Sequence, residues 1–216
     1  MVKIQIFVEG TSLENSRMPQ LLVTNGSGLR QGFSALLRQK VSTDDFDLQI
    51  TMQDSVTQAV PNFKKNADKM PNLLLLIDLD APETQREKRL KDDGLDAFAD
   101  RVFFMIHAME AWFLSQPAAI EKAFFTIIKK PNIAADNNLQ NKHPSEILKP
   151  DRVLETIFKR HFEIAERGGI KQKKAYKKSS DAPLILQQLD LQTLANDFQD
   201  VARLLETIEN FAKITP

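Results

Sequence analysis

A chain of 216 residues with 42% hydrophobic content can bury one sizeable α/β core, with or without a helical appendage. Lysine plus arginine number 29 and aspartate plus glutamate 29, so no global field draws the chain to nucleic acid or an anionic membrane, and any basic surface must be local. The absence of cysteine excludes disulfides, thiolate metal sites, iron–sulfur clusters and cysteine nucleophiles, and agrees with a reducing compartment.

Val2 to Val8 alternates and is β-branched, which predicts a first strand stopping at Glu9-Gly10. Met1 to Gly10 lacks the long apolar core of a signal peptide, and no run reaches the roughly 18 apolar residues of a membrane helix. A soluble, cytoplasmic protein without membrane attachment is expected. Gly26, Gly28 and Gly32 predict a glycine-rich turn leading into a helix that carries Phe33, Leu36 and Leu37. The segment fits neither a Walker loop nor a dinucleotide fingerprint, and Arg30 is its only cation.

Phe46 to Met52 reads as a second strand and Ser55 to Asp68 as a helix despite Pro61. Leu73 to Ile77 is a continuous apolar run, as expected of a central parallel strand buried on both faces. A charged stretch, Glu83 to Asp93, precedes a fourth strand at Val102 to Ile106. A helix then begins at Glu110 to Leu114 and resumes beyond Pro117. The alternation predicts βαβ units and a mainly parallel sheet flanked by helices, an α/β fold.

From about Pro144 only helical patterns are read: Pro150 to Phe162, Ala182 to Leu189, and one helix over Leu191 to Phe211. Arg167 to Lys178 is read as a basic loop. The expected organisation is an α/β domain over residues 1–140 with a carboxyl-terminal helical cap, 141–216, packed on it.

Ligands of parallel sheets bind beyond the carboxyl ends of the strands. There the chain places Glu9, then Asp78-Leu79-Asp80, then His107 and Glu110. If the extended conformation persists, Asp78 and Asp80 point to one side and Leu79 to the core. Carboxylates so gathered repel one another unless a cation or a proton joins them, and oxygen ligands favour magnesium or manganese over zinc. For Glu110, a helix-dipole acid and a metal or proton-transfer group both remain open. Trp112 and His107 read as structural, and with only His107, His143 and His161 in the chain, histidine-based mechanisms are poor candidates.

An acid–glycine pair closing the first strand, followed by an apolar strand ending in D-x-D, resembles the Toprim domain of topoisomerases, bacterial primases and overcoming-lysogenization-defect nucleases. More closely, the chain resembles a bacterial family catalogued as domain of unknown function 4276. That likeness runs through Glu9-Gly10, Asp78 and Asp80, Glu110-Ala111-Trp112-Phe113-Leu114, Lys149-Pro150, and Tyr176 with Lys178, Asp181 and Pro183. Many members carry a second acid in an E-G-x-T-E motif, whereas this chain reads Glu9-Gly10-Thr11-Ser12-Leu13-Glu14.

The resemblance implies a Toprim-like fold and magnesium-dependent phosphodiester cleavage. Glu9, Asp78 and Asp80 would be the metal ligands, with Glu9 serving as base or metal bridge, Glu110 as a second-site ligand and Lys178 as a phosphate clamp. It also implies a setting in phage defence or DNA maintenance, with nucleic acid as substrate and a separate ABC-type ATPase subunit as partner. The alternative expectation is a non-catalytic assembly module for such an ATPase or for a second copy of the chain.

Overall fold

Strand β1 (Val2–Glu9) buries Val2, Ile4, Ile6, Phe7 and Val8, and β2 (Phe46–Gln53) pairs with it in parallel from Val2 opposite Phe46 to Glu9 opposite Gln53. On the other side of β1 lies β3 (Leu73–Asp78), every residue of which is buried, as its unbroken apolar run requires of a strand covered on both faces. Strand β4 (Val102–Met105) completes a four-stranded, all-parallel sheet of order β2-β1-β3-β4. The computed structural model describes residues 1–10, 24–41, 45–165 and 171–214.

The order of the strands fixes where a ligand site can form. The chain leaves β1 through α1 (Thr24–Leu37) to reach β2, then crosses back through α2 (Val56–Ala67) to β3 on the opposite side of β1. Right-handed crossovers in opposite directions put α1 and α2 on opposite faces, and a crevice opens between β1 and β3 where the direction reverses. The residues at its mouth are Glu9 and Asp78. Pro61 lies inside α2 on its exposed side, where the lost backbone donor leaves no buried group unsatisfied.

The predicted charged stretch folds as a 3-10 turn, Glu83–Gln85, and helix α3 (Arg86–Asp92). Helices α4 (Met109–Ser115) and α5 (Pro117–Ala123) are separated at Gln116, as Pro117 dictates. Beyond an irregular stretch come α6 (Pro150–His161), a small antiparallel hairpin of β5 (Glu163–Ala165) and β6 (Lys171–Lys173), and helices α7 (Lys178–Leu186), α8 (Leu191–Asp197) and α9 (Gln199–Ile214). Among the described residues no helix is long and apolar enough to cross a membrane.

Three expectations are corrected. Gly26, Gly28 and Gly32 lie within α1 rather than in a turn before it. A Cβ at Gly28 would stand 3.2 Å from Cγ of Pro183, and one at Gly32 2.9 Å from two carbons of Leu186. These two glycines, four apart on one helical face, therefore let α7 approach α1 closely. The basic segment is not all loop, since Lys171–Lys173 is a strand and Lys178 opens α7. The expected single helix over 191–211 is broken at Phe198, whose backbone is extended (φ −131°, ψ 113°).

The break serves the sheet edge. It sets Asp200, 2% exposed, in the first turn of α9, where Oδ2 accepts the backbone N–H of Phe104 on edge strand β4 at 2.8 Å. Arg86 Nε donates to both oxygens of Asp200 at 3.1 and 3.2 Å, and its Nη2 reaches the carbonyls of Ala99 and Val102. A buried ion pair thus ties α9 and α3 to the strand and satisfies an edge donor.

Candidate functional site

Glu9 and Asp78 end neighbouring central strands, and their proximity follows from parallel pairing in register. The backbone N–H of Asp78 donates to Oε2 of Glu9 at 3.0 Å. Oδ1 of Asp78 accepts the backbone N–H of Met109 at 3.1 Å, which fixes the carboxylate against the start of α4.

The extended conformation does not persist to Asp80. Its φ is 55°, in the left-handed region, and its N–H donates to the carbonyl of His107 at 3.0 Å. His107 is itself left-handed, at φ 59°. Asp78 and Asp80 still line one cleft, Asp78 buried and Asp80 exposed, because the turn and not strand alternation brings them there. Leu79 is buried, as expected.

Glu110 lies in the first turn of α4 and is 1% exposed. The hydroxyl of Tyr176 donates to its Oε1 at 3.1 Å, while its buried Oε2 has no hydrogen-bond partner. Nζ of Lys178 stands 3.6 Å from that Oε2 and 3.7 Å from Oδ2 of Asp78. One ammonium therefore faces two buried carboxylates beyond hydrogen-bonding distance of either.

The cleft has a volume of about 560 Å³, and its walls come from both halves of the chain: Asp78, Asp80, His107 and Glu110 on one side, Leu148 to Asp151, Glu155, Tyr176 and Lys178 on the other. Glu9 stands beside Asp78 and is not among the residues that line the cleft. Nε2 of His107 lies 3.0 Å from the carbonyl of Ser145; a carbonyl only accepts, so that nitrogen carries the proton.

The electrostatics follow from crowding acids out of water. Burial pushes the Asp78 carboxyl up to about 8; Lys178 opposes the shift, while Glu9, Glu110 and Asp80 add to it. Burial also raises Glu9, against the stabilising N–H of Asp78. For Lys178, burial favours the neutral amine, but Asp78, Glu110 and Glu9 outweigh it and hold the ammonium above its ordinary value. Burial raises the Tyr176 phenol, and Glu110 raises it further, so it remains a donor.

Among the described residues no three His, Asp or Glu side chains are already gathered as metal ligands. The donor chemistry nevertheless fits a hard divalent cation, because Asp78, Asp80 and Glu110 offer oxygen alone and one buried oxygen of Glu110 lacks a hydrogen bond.

Of the residues singled out in the sequence, Asp78, Asp80, Glu110 and Lys178 meet in the cleft and Glu9 adjoins it. Glu14 lies outside the described residues. Trp112 is core, 2% exposed and edge-on to Phe33. Within the basic segment, Lys171 and Lys173 are exposed, whereas Lys174 pairs with Asp181 at 2.7 Å and lies over the rings of Phe124 and Phe158. The role of Tyr176 toward Glu110 was not read from the sequence, nor was the wall formed by Leu148, Asp151 and Glu155. Two signals were available: Tyr176 stands two residues before Lys178, and Lys149-Pro150, part of the family likeness, sits within that wall.

A family model described as domain of unknown function (DUF4276) matches residues 16–209. The chain belongs to that family. The DUF4276 match includes Asp78, Asp80, Glu110, Tyr176 and Lys178 and begins beyond Glu9. Comparison with curated proteins and with solved structures finds no match.

Proposed function

We propose that this DUF4276 chain is a magnesium- or manganese-dependent nuclease that hydrolyses phosphodiesters. The observation that carries the reading is the convergence of buried Asp78 and Glu110 on the single ammonium of Lys178, in an open cleft beyond the carboxyl ends of β3 and β4. The resemblance of Glu9-Gly10 and Asp78-Leu79-Asp80 to Toprim domains supports it independently.

Asp78, Asp80 and Glu110 would hold the cation, which when bound activates water and offsets charge developing on the phosphate. Glu9 lies close enough to Asp78 to orient it or to accept a proton at its remaining oxygen. Tyr176 holds Oε1 of Glu110 and leaves Oε2 toward the Lys178 ammonium. Lys178, with its side chain 46% exposed, reaches from the acids to solvent and would clamp a phosphoryl oxygen. Exposed Lys149, Lys171 and Lys173 supply local cations for a nucleic-acid backbone despite zero net charge. Action in a bacterial defence or DNA-maintenance system, beside an ABC-type ATPase in the cytoplasm, is the setting this reading suggests.

The test is cleavage of labelled plasmid, linear DNA, single-stranded DNA and RNA with magnesium or manganese, beside an Asp78→Ala/Asp80→Ala protein, with and without a neighbouring ATPase. Metal-dependent cleavage by the wild type alone is expected. Equal background from both proteins under every condition would overturn the reading and leave a non-catalytic partner of the ATPase.

A further inference from the structure

We propose that Lys178 is an exchangeable counter-ion, whose ammonium sits against Asp78 and Glu110 and gives way to a divalent cation. The inference rests on the metal-dependent reading above and adds a competition that the reading does not require.

Three observations place the ammonium there for the acids' sake. Lys178 is the first residue of α7, where the helix dipole disfavours a cation, so the helix does not account for its position. Its Nζ lies between Oδ2 of Asp78 and Oε2 of Glu110, at 3.7 and 3.6 Å, and Oε2 has no hydrogen-bond donor of its own. These separations exceed the roughly 2.7–3.2 Å of an N–H···O bond, so the attraction is coulombic and no directed bond must break for the lysine to leave.

The surroundings permit departure. The Lys178 side chain is 46% exposed, whereas those of Asp78 and Glu110 are 12% and 2% exposed, so the cation is the mobile partner and the acids are fixed. Met109 N–H and Tyr176 O–H hold one oxygen of each acid, leaving Oδ2 and Oε2 for whichever cation is present. A divalent ion reaching these oxygens repels the ammonium, whose long stem can swing into the cleft, where an anionic phosphate would lie. Metal entry and phosphate capture are then coupled through one side chain.

The exchange is measured by titrating the full chain with Mn²⁺, reading free Mn²⁺ by electron paramagnetic resonance and metal-induced change in Tm. Removing the competing charge in Lys178→Met should tighten Mn²⁺ binding on the order of tenfold and enlarge the Tm rise, although cleavage is lost. Lys178→Gln, which keeps an N–H donor, serves should the methionine variant fail to fold without metal. Lys178→Arg should bind no tighter than wild type, and Asp78→Asn should bind weakly. Wild-type binding with equal or weaker binding by both uncharged variants would overturn the exchange and leave the metal-dependent reading intact. Absence of binding by every protein would overturn both.

Discussion

The N–H of Asp78 donates to Oε2 of Glu9 at 3.0 Å, so the last residue of one central strand holds the last side chain of its neighbour. A glutamine at position 9 can still accept that bond through its amide oxygen but carries no charge. Glu9→Gln should therefore lower metal-dependent cleavage by roughly a hundredfold, the scale of a lost acid–base group, while Tm moves little. Loss of folding and activity together would instead make Glu9 structural.

Tyr176 and Glu110 form a second such pair. Tyr176→Phe leaves Oε1 of a 1% exposed carboxylate without its donor, at a cost of roughly 1–3 kcal/mol. Urea unfolding should show the loss. A double-mutant cycle with Glu110→Gln should return a coupling of the same order, because the penalty belongs to the charged partner.

Asp200 joins α9, α3 and the β4 edge through Arg86 and the Phe104 N–H. Asp200→Ala strands a buried guanidinium and an edge donor together, and should cost about 3–5 kcal/mol. Arg86→Met/Asp200→Leu should recover part of that loss in chemical denaturation, since no lone charge remains buried.

The parallel sheet and the gathering of Asp78, Asp80 and Glu110 were legible because an unbroken apolar run and acids placed after strands are local signals, whereas Lys178 was marked only by the family resemblance. Other features depend on contacts distant in sequence. Nothing near Gly28 and Gly32 indicates Pro183 and Leu186 packing against them, so the pair reads as a turn. Leu194, Phe198, Val201 and Leu205 keep helical spacing across the break at Phe198, which the β4 edge imposes. The β5–β6 hairpin is short and largely exposed, without an alternating apolar face.

Gly28 and Gly32 therefore differ in a testable way. Alanine gains about 1 kcal/mol in helix propensity at either site. At Gly32 its methyl would stand 2.9 Å from Cβ and Cδ1 of Leu186, beneath α7, and overpacking of that kind costs roughly 1–3 kcal/mol. Gly32→Ala should be net destabilising. Gly28→Ala meets only the ring of Pro183 at 3.2 Å and should be near neutral in thermal melts.

Asp136 sets an acid limit on stability away from the cleft. It is 5% exposed; Oδ1 accepts the N–H and Nδ2 of Asn138 at 3.0 and 2.9 Å, and Oδ2 meets Arg160 Nη1 at 2.5 Å and His161 Nε2 at 3.1 Å. Burial raises its pKa, but the Asn138 N–H, His161 and Arg160 together outweigh burial and hold it below 3.8. A depressed folded-state pKa means that the unfolded chain takes up the proton first as pH falls. The stabilisation is thus complete above that ordinary value and is lost as pH drops through the folded one. Asp136→Asn should cost roughly 1.5–3 kcal/mol near neutrality. The gap between wild type and variant in urea midpoints should stay constant down to about pH 5 and close below about pH 4. A gap independent of pH down to the acid transition would show that packing at Asp136, and not its charge, stabilises this corner.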